Sequence, residues 1–259
     1  MVFVSNIILL GKKVYRHFSS RAPIAVYQAR LPYIIRFEKD EYIGKRCFII
    51  GGGPSINEMD LTPLNDEYCM VVNRGFLLRD KGLKNVEFYG VSDAGGYQDF
   101  GQDIPNDFAK HYCIIGNIPW DRDDIKPSVF SMYSEGSKKK WLSNGFMQFD
   151  ITQPLAHSYT VVLNMLQIAV YTGFKEIYFI GIDNNFSLPN MHFYKDSKEE
   201  ISAIKRWNLD PTTNNNHAFG RAHSILKEKG VRIFNAGFGG NLTSIPRVSY
   251  TDLMNNRKV

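Results

Sequence analysis

CFIIGGGPSINEMDL, residues 47 to 61, decides the fold. A strand-like apolar run, Cys47 to Ile50, enters three glycines, then Pro54, Ser55 and a segment of helical pattern. A strand, a glycine turn and a helix in that order open a βαβ unit. Without Cβ atoms, Gly51, Gly52 and Gly53 let the backbone approach a phosphate or ribose closely. Free N–H groups at a helix start favour an anion. Two familiar nucleotide loops are nevertheless excluded. No lysine follows, so this is not a Walker loop, and consecutive glycines followed by Pro54 do not make G-x-G-x-x-G. A mononucleotide site and a ligand-free tight turn both stay open on this stretch alone.

Working outward, similar runs recur at CMVV (69–72), VEFYGVS (86–92), YCIIG (112–116), EIYFIGID (176–183) and VRIFNA (231–236). They are nearly continuous in Val, Ile, Phe and Tyr, which suits strands buried on both faces. TVVLNMLQIAVYTG (160–173) reads as a buried helix with one polar stripe, Thr160, Asn164 and Gln167, and Gly173 as its stop. Residues 217–229 read as a second helix ending at Gly230. Strands alternating with helices predict an α/β fold, a mostly parallel sheet with helices on both faces. Residues 117–150 and 184–215 are irregular, and loops of that length at the carboxyl ends of strands predict lids. The domain is expected over residues 45–259, after a basic extension at 1–44.

Composition agrees with one sizeable domain. The chain has 259 residues, 44% hydrophobic and 22% charged, with a net charge of +5. That excess is too mild for a nucleic-acid-coating protein. The three cysteines, Cys47, Cys69 and Cys113, lie in strand-like runs and fit neither a zinc site nor a disulfide framework, so a reducing cytoplasm is expected. No run approaches the roughly 18 apolar residues that span a bilayer. From Met1 to Phe37 there is no acid, while Lys12, Lys13, Arg16, Arg21, Arg30 and Arg36 are basic. Ile7, Leu10, Val14 and Phe18 fall on one helical face. Such a helix lies on an anionic membrane surface, on its own domain or on a second copy of the chain. Peripheral contact with the inner face of the cytoplasmic membrane is one expectation; a homo-oligomer is the other.

Polar residues gather where strands end. Asn73 closes the second long run, Ser92 and Asp93 the third, and Asp183 with Asn184 the run at 176. A side-chain amide both donates to and accepts from a nucleobase edge or ribose. In the closing NAGFGGNLTSIPRVSY, Arg247 is a candidate partner for phosphate or carboxylate, or a member of a surface ion pair.

Together, GGGPS-x(5)-L, the strand ending in Asn73, GFKEIYFIGID and NAGFGG…IPRV resemble the bacterial proteins related to family 42 sialyltransferases. Flagellin nonulosonic-acid transferases and the archaeal 6-hydroxymethylpterin pyrophosphokinase belong to the same superfamily. The resemblance implies a single modified Rossmann-like domain, a CMP-activated sugar donor and a glycan acceptor, with Gly51, Gly52, Gly53, Pro54, Ser55 and Asn73 on the nucleotide and Thr160 facing the donor. It also implies a lid histidine as general base and lid tyrosines, Tyr194 among them, on the leaving phosphate. Here the candidates for the base are His217 and His192, with His157 a third; Lys138 to Lys140 are further candidates for the phosphate. The family's glycine loop carries an asparagine where this chain has Gly52. No D-x-D metal motif stands at 183–185, so no cofactor or metal is expected for a glycosyltransferase. A rival reading, a pyrophosphokinase-like enzyme, would place ATP and magnesium on Asp93 and Asp183. A third is a non-catalytic relative that binds a glycan or a partner protein.

Overall fold

From Cys47 to Ile50 every side chain is fully buried, so the strand is covered on both faces. Its neighbours repeat the pattern. In the computed structural model, which describes residues 34–134, 136, 147–186, 191–198, 200–201 and 210–256, the strands are β1 (Ile34–Ile35), β2 (Arg46–Ile50), β3 (Tyr68–Val72), β4 (Phe88–Val91), β5 (His111–Ile115), β6 (Val129–Ser131), β7 (Glu176–Ile180) and β8 (Arg232–Asn235). They form one sheet in the order β1-β6-β5-β4-β3-β2-β7-β8. The seven strands β2 to β8 pair in parallel throughout. The N-terminal stretch read as a basic helix, the Lys138–Lys140 run and parts of both expected lids lie outside the described residues. Among the described residues no helix is long and apolar enough to cross a membrane.

Side chains alternate across a strand, so the two faces of β2 meet different layers. Cys47 and Ile49 share a core with helices α2 (Val161–Tyr171) and α3 (Pro211–Glu228). Their apolar positions recur at helical spacing, and Thr160 caps α2 while Asp210 caps α3 through its carboxylate to Thr213 N. The opposite face is covered mainly by 3-10 turns, Pro54–Glu58, Thr62–Asp66 and Asn73–Lys81, and by the short helix α1 (Ala94–Phe100). The expected α-helix after GGGPS is thus a five-residue 3-10 turn. Pro54 sets its first position, and the turn ends at Met59, whose backbone is already extended. A last helix, α4, spans Tyr250–Asn255.

Two further expectations change. Val129–Ser131, inside the segment read as a lid, is a buried sheet strand; three residues after Pro127 are too few to show a period. Helix α3 begins at Pro211, not near 217. Its first turns are Thr and Asn, which carry little helix propensity, and the Asp210 cap with Pro211 at the first helical position starts it instead.

Asn164 and Gln167 of the polar stripe on α2 are buried and paired. Gln167 accepts from Gln148 N and Ala156 N, both at 3.0 Å. Asn164 Nδ2 donates to the Tyr133 hydroxyl at 2.7 Å, and its Oδ1 accepts from Ser158 Oγ at 2.6 Å. Asn164→Ala would strip both partners inside the core. We expect a loss of about 1–3 kcal/mol of unfolding free energy, measured by chemical denaturation; an unchanged midpoint would show that the network contributes nothing.

Candidate functional site

After the short edge strand β1, the chain crosses to the middle of the sheet at β2, walks outward through β3, β4, β5 and β6, then returns to lay β7 on the other side of β2. The strand order reverses between β2 and β7, and a crevice opens at the carboxyl ends of strands at such a point. The two segments that leave there are Gly51–Ser55 and Gly181–Asn184.

These segments are stitched together. Gly51 N donates to Ile180 O at 2.9 Å and Gly53 N to Gly181 O at 2.7 Å. Ser55 N donates to Asp183 Oδ2 at 2.8 Å, and Ser55 Oγ donates to the other oxygen of the same carboxylate. Pro54 has no N–H. Most of the loop's amides are therefore spent within the protein, and the loop is not the open anion nest that its sequence suggests. Two of its glycines are packing requirements. A Cβ on Gly51 would stand 2.6 Å from Gly181 O, and one on Gly53 would stand 2.5 Å from Asp183 Cγ.

Gly52 differs. A Cβ there would meet His192 Cδ2 at 3.0 Å, so the imidazole lies directly over this glycine. The segment carrying His192 docks by its backbone, with Phe193 N donating to Gly52 O at 2.9 Å. Asn57 Nδ2 adds a longer contact to Phe193 O at 3.3 Å. His192 Nδ1 bonds the Asp196 carboxylate, which is 2% exposed and also accepts from Met191 N at 3.1 Å. A carboxylate at Nδ1 holds the proton there and leaves Nε2 as an acceptor. Tyr194 lies against the ring, with centroids 4.8 Å apart and planes 2° from parallel. The Tyr194 hydroxyl donates to Glu200 Oε1 at 3.0 Å, so it is committed inside the protein instead of standing free for a phosphate. Burial, with Glu200 alongside, pushes this phenol well above its ordinary range, which keeps it protonated at neutral pH.

Asn73, at the end of β3, adopts a left-handed backbone with φ +50°. Its buried Oδ1 has no hydrogen-bond partner among the described residues. A buried acceptor left unpaired costs about 1–3 kcal/mol, a cost that a ligand's donor removes.

The remaining predicted residues serve mainly to hold the frame. Asp93 caps α1 through Gly95 N at 3.0 Å, and Ser92 lies close to the Tyr133 hydroxyl. Thr160 caps α2 through Val162 N at 3.4 Å. Asn184, also at φ +50°, bonds Thr212 O and accepts from Asn215 Nδ2, which docks the start of α3. His217 is exposed on α3 and accepts from Arg221 Nε at 3.2 Å, so its bonds tie it to its own helix and not to the glycine loop. His157 precedes α2 and packs against Tyr133, with ring centroids 4.2 Å apart and planes tilted by 50°. Arg247 has no ion-pair partner among the described residues; its guanidinium donates to Gly237 O and Gly239 O and staples the closing loop. Among the described residues no three His, Cys, Asp or Glu gather within reach of one metal ion.

Asp196, Arg74 and Glu200 belong to this constellation and were not singled out in the sequence. Their signal was weak but present: His192 and Asp196 are four apart, and S-K-E-E at 197–200 spells a capping box. Ser197 N indeed donates to Glu200 Oε2 at 2.7 Å and Glu200 N to Ser197 Oγ at 3.1 Å.

No family model matches the chain, and no curated protein matches it in sequence. Solved structures do. The Maf glycosyltransferase of Magnetospirillum magneticum AMB-1 aligns over 87% of this chain and 38% of its own, at 16% identity and a TM-score of 0.52. The sialyltransferase CstII of Campylobacter jejuni, solved with cytidine-5'-monophosphate, aligns over 77% of this chain and 87% of its own, at 17% identity and a TM-score of 0.43. A mammalian sialyltransferase aligns over 76% and 70%, at 10% identity and a TM-score of 0.39. The chain spans little more than a third of the Maf protein's length, and what the two share is the fold: an α/β domain with a parallel sheet flanked by helices.

Proposed function

We propose that this chain is a glycosyltransferase that moves a sugar from a nucleotide-activated donor, CMP-linked by the resemblance, to a hydroxyl of a glycan acceptor. The observation that carries this reading is His192, seated over Gly52 at the switch point with Nδ1 held by buried Asp196. A base is needed there because an alcohol attacks poorly until its proton has somewhere to go. The acceptor oxygen forms the new bond to the anomeric carbon while its proton passes to His192 Nε2. The bond from that carbon to the phosphate oxygen breaks, the nucleotide leaves with the electron pair, and the configuration inverts. Asp196 favours the imidazolium that forms and keeps the ring in the receiving tautomer. Of the two histidines at issue, His192 has the orienting carboxylate and the place over the loop, so the base is assigned to it and not to His217.

Asn73 offers its orphan acceptor to the donor. Asn73→Gly, which tolerates the left-handed backbone, is expected to weaken nucleotide binding about tenfold, equivalent to roughly 1.4 kcal/mol, with little change in melting temperature. A clear fall in melting temperature with binding intact would make Asn73 a purely structural turn.

The reading places the protein in bacterial surface-polysaccharide assembly, on the cytoplasmic side, with no metal cofactor. The pyrophosphokinase alternative is weaker. Its two candidate metal ligands are engaged elsewhere, Asp93 as a helix cap and Asp183 on Ser55. Calorimetric titration with CMP, UDP and GDP tests the proposal. Saturable binding of CMP is expected, and binding of none of the three would overturn it. Binding without His192-dependent donor turnover would favour a non-catalytic relative.

A further inference from the structure

His192 can act as a base only while the segment that carries it stays down on the glycine loop. Backbone and amide bonds from Phe193 to Gly52 and Asn57 hold one side of that segment. The other side is held from a different strand. Arg74 follows Asn73 at the end of β3, and its side chain is only 16% exposed. Its guanidinium pairs with Asp99 of α1 and stands over the Phe100 ring at 5.2 Å. From there it faces the His192 segment. Its Nε lies 3.4 Å from Glu200 Oε1, an ion pair too long and bent to be a hydrogen bond, and its carbon stands 5.9 Å from the Tyr194 ring centre. Glu200 in turn takes the Tyr194 hydroxyl, and Tyr194 lies parallel to His192. One unbroken series, Arg74 to Glu200 to Tyr194 to His192, therefore runs from the end of β3 to the imidazole.

The geometry points to Arg74 as the positioning residue for His192, acting through Glu200 and Tyr194. This rests on the reading of His192 as the base. Arg74 is a cation between two partly buried acids, one on the fixed body and one on the docked segment. Removing it leaves Asp99 and Glu200 facing each other without compensation, so the segment that bears Glu200 is repelled from the body. Tyr194 moves with Glu200, and the imidazole loses the flat surface that sets its ring plane. A small displacement of a base from its proton costs far more in rate than in substrate affinity. Arg74 is also the immediate neighbour of Asn73, so the residue proposed to meet the nucleotide and the residue that sets the base belong to one rigid turn.

The test compares Arg74→Met and Arg74→Lys with wild type in the full chain. Arg74→Met is expected to lower kcat for glycosyl transfer by about tenfold or more while donor KM changes less than about twofold. Arg74→Lys, which keeps the charge without the planar fork, should recover part of the rate. Independently of any turnover, NMR of protein labelled in its histidine and tyrosine rings should show the His192–Tyr194 ring contact in wild type and its loss in Arg74→Met. If that contact persists in Arg74→Met and kcat falls only as far as the fraction of folded protein falls, Arg74 is an ordinary surface-layer ion pair and the inference is overturned. If wild type transfers no sugar from any nucleotide donor, the functional reading fails, whereas the ring contact still decides the role of Arg74.

Discussion

His192→Ala is expected to reduce glycosyl transfer by about 10²–10⁴-fold, the usual worth of a positioned general base. Nucleotide binding and melting temperature should stay close to wild type. The imidazole is partly exposed above Gly52, its removal opens no core cavity, and Phe193 keeps its backbone bond to Gly52. Asp196→Asn should lose less, because the ring remains in place but the amide no longer selects the tautomer or supports the imidazolium. His217→Ala provides the contrast. That side chain is exposed and tied to Arg221 on its own helix, so its loss should leave transfer nearly unchanged. Initial rates with a saturating donor decide the matter. Full activity in His192→Ala, or a large loss confined to His217→Ala, would reverse the assignment.

The glycine loop yields the second large effect, which separates stability from chemistry within three consecutive residues. Gly51→Ala and Gly53→Ala should destabilise the fold by about 1–3 kcal/mol or more, the cost of overpacking a tight interior. At Gly51 the obstacle is Gly181 O, a backbone atom that cannot step aside, and at Gly53 it is the Asp183 carboxylate held by Ser55. Gly52→Ala meets only the edge of the His192 ring. Its melting temperature should hold while transfer falls at least about tenfold, because the ring is lifted from its seat. Gly52→Asn should be worse for rate, since a longer side chain competes for the space that the imidazole fills. Equal thermal losses in all three variants would mean that the three glycines share one packing role and that His192 is not matched to Gly52.

Much of this architecture was legible from the order of its parts. Continuous runs such as CFII and EIYFIGID could only be strands covered on both faces, and their alternation with TVVLNMLQIAVYTG dictated a parallel sheet. The polar residues at strand ends followed from that, which is why Asn73 and Asp183 were in view. Less legible was anything decided by pairing across space. Asp183 reads as a free ligand at a strand end, yet Ser55 occupies it. Arg247 reads as an anion partner or a member of a surface ion pair, and the bonds it makes go to carbonyls of the closing loop. The loop amides read as available, yet β7 and its continuation take them. The Asp196 and Arg74 roles depend on which loop lands on which, and no periodicity encodes that. The short strand β6 and the asparagine-rich start of α3 were missed because local propensity there is weak and tertiary packing decides.

The strand order has a consequence for how the site comes into being. Ser55 and Asp183 are 128 positions apart, and β2 stays open along one side until β7 arrives. Closing so long a stretch of chain is entropically costly and kinetically late. During synthesis, β2 to β6 can pair with one another well before the segment bearing Asp183 and His192 exists. A chain at that stage has its sheet half built and no crevice at all. Assembly of the crevice is thereby placed near the end of folding, so that incompletely folded molecules lack one of its two walls.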